Sequence, residues 1–213
     1  MTNGGVGSIE ENNEDFGLFN PGWGGALRLT PQFVEKFDGP EFENDVRNTI
    51  LSDGRTREIS DVSDPDQGFV LVKYTNVRSD GTNPEYDTFT DTAFPMFRLA
   101  DAYLMYAEIV ARGGGGDAST AASYINILRE RAYGDTSGNI SAGDITLDFI
   151  IDERGRELYW EAHRRTDLIR FDRFSDNGIW QWKGGVQQGT TTEAFRDIMP
   201  IPETDLGLNT NLE

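Results

Sequence analysis

The chain of 213 residues contains no cysteine. It therefore has no disulfide framework and no thiolate metal site. It holds one histidine, His163, with no serine or cysteine nucleophile pattern beside it. That residue reads as a hydrogen-bonding group at a helix junction, not as the base of a triad. Basic residues are scarce, 19 against 37 acidic, and the net charge is −18. A field of that sign repels nucleic acid and anionic lipid, and leaves neutral or cationic ligands, divalent cations and basic protein surfaces as partners. No run approaches the roughly 18 apolar residues that span a bilayer. No secretory signal opens the chain. The opening MTNGGVGSIEENNEDFG is polar and glycine-rich, and reads as a segment entered mid-protein.

What is present is 37% hydrophobic residues at a mean hydropathy of −0.53. That is enough for one core beneath a strongly polar surface, hence one domain or a large part of a bigger one. Residues 1–25 read as loop. Thr30-Pro31 starts a helix through Phe33, Val34 and Phe37 that stops near Gly39-Pro40. A short polar helix is expected over Glu43–Leu51. GFVLVKYTN, 68–76, reads as a strand that pairs with Arg55–Ile59. After Pro95, the residues Leu99, Ala102, Tyr103, Tyr106 and Val110 recur at helical steps. RGGGGD breaks that helix, and Asp117 caps a second one with a stripe of Ala121, Ile125, Leu128 and Ala132. Two such helices joined by a short glycine loop approach the tetratricopeptide period, and a unit of this kind buries its faces on neighbours. A further helix starts at Thr146 and runs through Ile150, Ile151 and Leu158, with a turn at Ala162-His163. Residues 175–192 form a loop rich in glycine and glutamine. The closing MPIPETDLGLN reads as extended, stiffened by Pro200 and Pro202. The fold class is mainly α, with tetratricopeptide-like helical hairpins, long loops and a small β element.

Six segments in order resemble the SusD/RagB family of nutrient-binding outer-membrane lipoproteins. They are WGGALRLTPQFVEKF (23–37), GFVLVKYTN, FPMFRLADAYLMYAE (94–108), AASYINILRERA (121–132), ERGRELYWEAHRRTDLIRF (153–171) and MPIPETDLGLN (199–209). The resemblance implies a non-enzymatic protein that binds glycans or related nutrients. It also implies a cell-surface lipoprotein of the outer membrane that works with a TonB-dependent, SusC-like barrel transporter. The chain corresponds to the family's C-terminal part over residues 1–213. The family's anchor cysteine and first hairpins have no counterpart in it. Two positions depart from the pattern: Ala162, where the family often has glycine, and Arg165-Thr166, where members commonly carry an aromatic.

The residues themselves bear on the chemistry. Glu153, Arg154, Glu157, Glu161, Arg164, Asp167 and Arg170 make an alternating-charge run with partners three and four residues apart. Glycosidases need a carboxyl with a raised pKa. Here each acid has an arginine within reach, which lowers it, so the run reads as structural. Arg98 and Asp101, three apart, read as a pair that sets helix register. The ligand-binding candidates are Trp23, in a loop after Asn20-Pro21-Gly22, and Trp180, Gln181 and Trp182 in IWQWKGG. In an extended loop the two tryptophans face one side. Sugar faces stack on such rings, and amides such as Gln181 and Gln187 bond the hydroxyls. No catalytic residue is assigned. No cofactor is expected; Asp61, Asp64 and Asp66 before Gly68 are oxygen ligands of the kind calcium takes, at a spacing unlike the EF-hand. The alternative function is a helical-repeat scaffold whose ligands are proteins.

Overall fold

The computed structural model describes residues 28–52, 54–64, 66–71, 73–74, 78, 80–82, 93–209 and 211. Its centre is a helical hairpin packed on a third helix: α2 (Leu99–Ala111), α3 (Ala118–Tyr133) and α4 (Leu147–Leu158). The helix ends follow the local chemistry. The Asp117 carboxylate accepts from the Thr120 N–H at 2.7 Å and starts α3. Gly134, at φ 77°, ends it in the left-handed region. The Thr146 hydroxyl accepts from the Phe149 N–H at 3.2 Å and starts α4. Between the helices lie Leu104, Ala107, Ala121, Ile125, Ile150 and Leu158, all essentially without exposure. The alanines let the axes approach, and each buried Leu or Ile contributes about 1.5–3 kcal/mol. Tyr103 and Tyr124 stack across the hairpin, 4.6 Å between centroids.

A smaller cluster of Leu29, Val34, Phe37, Leu71 and Tyr159 sits beside this core. It joins α1 (Pro31–Val34), which continues as a 3-10 turn over Glu35–Phe37, to a two-stranded antiparallel ladder. The strands are β1 (Ile50–Leu51) and β2 (Val70–Leu71), with Ile50 opposite Leu71. The Thr30 hydroxyl makes no capping bond, so Pro31 at the first helical position supplies the start. Trp160 packs against this cluster.

Several expectations are corrected. No helix forms over Glu43–Leu51; the segment is turns followed by β1. The Asp45 carboxylate accepts from the Arg47 N–H at 3.0 Å, a local bond that competes with helix. Arg47 is then drawn inward by Glu153. β2 pairs with Ile50–Leu51, and the 55–59 segment contributes one isolated bridge, Thr56 to Gln67. On α2 the inward face is Ala100, Asp101, Leu104, Ala107 and Glu108, while Leu99 is 63% exposed. Two carboxylates occupy the inner face because they have arginine partners, buried Arg154 for Asp101 and the more exposed Arg112 and Arg170 for Glu108, which apolar periodicity alone does not register. The tail is not extended throughout: a 3-10 turn spans Ala194–Asp197, and α6 (Glu203–Leu208) follows Pro202 with Glu203 and Asp205 in its first turn.

The chain reverses after α4 through Trp160 (φ 60°) and Ala162 (φ 64°), then enters α5 (Arg164–Arg170). An L-residue with a Cβ in the left-handed region is strained by about 1 kcal/mol. Ala162 is exposed, so a glycine there gains nothing and loses nothing by contact. Ala162→Gly is expected to stabilise the protein by about 0.5 kcal/mol after the entropy cost of glycine in the unfolded chain. The measurement is the midpoint of thermal unfolding, which should rise by about 1–2 °C.

Candidate functional site

The loop between α5 and the Ala194–Asp197 turn is built around Lys183. Its ammonium donates to the Ser175 carbonyl at 2.6 Å and to the Gly178 carbonyl. The Thr192 N–H donates to the Ser175 carbonyl at 3.2 Å and closes the base. Gly189, at φ 78°, lets the strand of loop pass close: a Cβ there would stand 2.1 Å from the Trp180 carbonyl oxygen. Trp180 emerges from this frame beside Phe174, 5.8 Å between centroids. It helps line a groove of about 790 Å³ that also includes Phe195, Met199 and Pro200. On its other side lies a cleft of about 390 Å³ that reaches Phe33 and Lys36. A half-buried ring between two concavities, with apolar walls and a few polar groups, has the form of a small-molecule site.

The three neighbouring candidates separate. Trp182 sits at φ 66°, and its indole N–H donates to the Ile59 carbonyl at 2.8 Å. Gln181 is buried, and both ends of its amide are engaged: Nε2 donates to Glu58 at 2.8 Å and Oε1 accepts from the Ile59 N–H at 2.9 Å. The two tryptophans thus do not share one face of an extended strand; a tight turn from Trp180 to Lys183 directs them to different partners. Gln187 offers its carbonyl to the Trp182 N–H at 3.2 Å. Trp23 lies outside the described residues. Phe174, six residues before Trp180, and Arg165 and Phe195, further away on either side, join it in the groove. No signal in the sequence pointed to Phe195.

The Asp61–Asp66 turn folds its carboxylates onto its own loop. Asp61 accepts from the Ser63 N–H at 2.8 Å, and Asp64 from the Asp66 N–H at 2.9 Å. Among the described residues no group of three or more such side chains is placed to hold a metal.

The charge run is a buried network. Glu153 has no exposed side-chain surface and meets Arg47 at 2.8 Å, Arg129 at 2.9 Å and Arg156 at 2.9 Å. Glu157 meets Arg98 at 2.5 Å, Arg131 at 2.7 Å and Arg47 at 3.1 Å. Glu161 takes Arg98 and Lys73. Arg98 and Asp101 do not pair with each other: Arg98 bridges α2 to Glu157 and Glu161, and Asp101 receives Arg154 at 2.8 Å. Most partners lie on other elements and not one turn away. Burial alone would raise the Glu153 carboxyl, but the surrounding arginines outweigh it and hold it down to about 2. Glu157 is lowered in the same way. A general acid needs the opposite shift.

A model of the SusD family matches residues 35–213. The chain belongs to the SusD family. It is 41% identical over 146 residues to the starch-binding protein SusD of Bacteroides thetaiotaomicron, covering 68% of this chain and 25% of that one. It is 36% identical over 121 residues to the SusD-like protein P25 of Formosa agariphila, 54% of this chain and 22% of that protein. The chain therefore spans about a quarter of the length of these curated relatives. Among solved structures, the surface glycan-binding protein A from Bacteroides thetaiotaomicron superposes with a TM-score of 0.50 at 26% identity, over 70% of this chain and 30% of that chain. A SusD superfamily protein from Bacteroides vulgatus shares the fold, with a TM-score of 0.58 at 21% identity over 84% and 36% of the two chains. No helix among the described residues is long and apolar enough to cross a membrane.

The network makes stability depend on acid. The Glu153 pKa falls from 4.5 to about 2 on folding, so its stabilisation is fully present above pH 4.5 and is lost as pH falls towards 2. The shift corresponds to roughly 3 kcal/mol. Glu157 shifts in the same direction and steepens the loss. Urea unfolding of the wild type should weaken markedly between pH 4.5 and 2. Glu153→Gln should cost about 3–5 kcal/mol at pH 7, because it leaves buried arginines uncompensated. The same variant should show a flatter acid limb.

Proposed function

We propose that this chain is part of a larger, non-catalytic protein that binds glycans or related nutrients at the cell surface. In this reading the whole protein is held at the outer membrane by a lipid anchor and delivers its ligand to a TonB-dependent barrel transporter. Membership of the SusD family supports the reading, as does a curated relative named for starch binding. The observation in this chain that carries it is the half-buried Trp180 ring between two concavities. An aromatic face of that kind stacks on the apolar face of a sugar. Gln181 and Trp182 then serve as positioning residues, since their polar atoms are engaged with Glu58 and Ile59. The lowered carboxyls of Glu153 and Glu157 support binding without hydrolysis.

A second reading, a helical scaffold for protein partners, draws on one observation. Phe97, Leu99, Met105 and Ile109 are each 46–85% exposed along α2 and its approach.

Calorimetric titration of oligosaccharides separates the two readings. Binding with quenching of tryptophan fluorescence supports the first. No heat with any oligosaccharide, together with co-purification of a barrel or other protein, supports the second. Trp180→Ala should lower sugar affinity about tenfold, with a small change in melting temperature. Trp182→Ala should lower the melting temperature by several degrees, because it removes a half-buried ring together with its bond to the Ile59 carbonyl. A large loss of stability in Trp180→Ala with unchanged affinity would count the ring as core.

A further inference from the structure

The groove beside Trp180 reverses the charge of the molecule. The chain carries −18, yet the groove is lined by three cations, Arg165, Lys183 and Arg196, and by no carboxylate. Among the described residues, none of the three takes part in an ion pair. Arg165 donates to the Arg196 carbonyl at 2.7 Å and lies 4.8 Å from the centre of the Phe174 ring. Lys183 is only 5% exposed, is bonded to carbonyls, and lies 4.6 Å from the Trp180 ring centre. Arg196 lies 5.2 Å from the Phe195 ring centre and is exposed. The α4 and α5 arginines that face acids behave otherwise: Arg154, Arg156 and Arg170 all pair with carboxylates. The acids that act on Lys183 from nearby are Asp176 and Asp197, and one Asp197 oxygen accepts from the Ser175 hydroxyl at 3.1 Å. Neither lines the groove.

Resting on the glycan-binding reading above, we infer that the groove selects an acidic sugar. A ring bearing a carboxylate or sulfate would lie against Trp180 and Phe195, with its anionic group among Arg165, Lys183 and Arg196. Cations that already lean on aromatic faces keep donors for an incoming anion, and the planar guanidinium matches a carboxylate or sulfate edge. Lys183 forms no ion pair and its ammonium is held by carbonyls, so an anion in the groove would add a counter-charge to those that Asp176 and Asp197 supply from outside it. The net charge of the chain does not oppose this at contact range, because salt screens charges beyond about 8 Å. It does favour a short ligand with a few acidic groups over a long polyanion.

The test is calorimetry on the full 213-residue chain with four probes: trigalacturonate, a sulfated disaccharide, maltotriose and cellotriose. The inference expects an acidic probe to bind at least about tenfold more tightly than the neutral ones. That affinity should fall several-fold as salt rises from about 50 to about 300 mM. The better of trigalacturonate and the sulfated sugar identifies the anionic group. Arg196→Gln should weaken acidic binding about fivefold and neutral binding much less, and Arg196→Lys should recover only part of the loss, because an ammonium keeps the charge but not the planar fork. Arg165→Gln gives an independent second reading of the same wall. If neutral sugars bind as tightly as acidic ones, the inference is overturned and the glycan-binding reading stands. Acidic binding that ignores both Arg196→Gln and Arg165→Gln would also overturn it, since the site would then lie elsewhere. If none of the four sugars binds, the inference is overturned, and the glycan-binding reading is judged by the wider oligosaccharide titration above.

Discussion

A carboxylate without solvent must find its counter-charges inside the protein. Glu153 finds them on three separate pieces of chain: Arg47 ahead of β1, Arg129 on α3, and Arg156 on its own helix. Glu157, one turn on, adds Arg98 from the start of α2 and Arg131 from α3. The apolar core between α2, α3 and α4 supplies most of the driving force, but it is built largely of Ala, Leu and Ile. Such surfaces slide past one another at modest cost. Paired charges do not, because a shift of one turn strands a buried ion. The network therefore sets the register of the hairpin against α4, and it draws the 45–47 turn into the core.

The same rule explains the Trp180 loop from the other direction. Lys183 is buried, yet its partners are carbonyl oxygens of its own loop. The ammonium ties Ser175 and Gly178 together, and this closure presents Trp180 at the groove while Gln181 and Trp182 turn inward towards Glu58 and Ile59. A loop held by one central cation keeps a defined shape without regular secondary structure. Two of its positive-φ positions, Trp182 at φ 66° and the tight pass at Gly189 against the Trp180 carbonyl, lie in the loop frame that carries Trp180 and do not line the groove.

The turn between α4 and α5 links the two regions. Tyr159, whose hydroxyl is pushed up to about 12 by burial, bonds the Arg47 carbonyl at 2.7 Å and packs on Phe33 and Phe37. Lys73 donates to the Glu157 and Tyr159 carbonyls as well as to Glu161. The charge network and the small β-containing cluster are thus one structure. The left-handed residues Trp160 and Ala162 let the chain leave α4 without breaking it.

Much of this was legible without coordinates. The starts of α3 and α4, their apolar stripes and the glycine break all follow from local signals: a capping side chain acts within three residues, and helical periodicity within a few turns. The family resemblance also rests on contiguous segments. What failed was everything whose cause lies far along the chain. The inner face of α2 could not be read, because Asp101 and Glu108 are buried only by virtue of Arg154 and Arg170. The 43–51 helix could not be excluded, because Arg47 is held by residues more than a hundred positions away. The sequence by itself determined the helical class, the starts of α3 and α4 and the family, since these depend on neighbours in the chain. Only the tertiary structure decided which charges are buried, which tryptophan faces a groove, and that a strongly acidic chain lines that groove with cations. Charge pairing and ring exposure depend on contacts between segments that no local window contains.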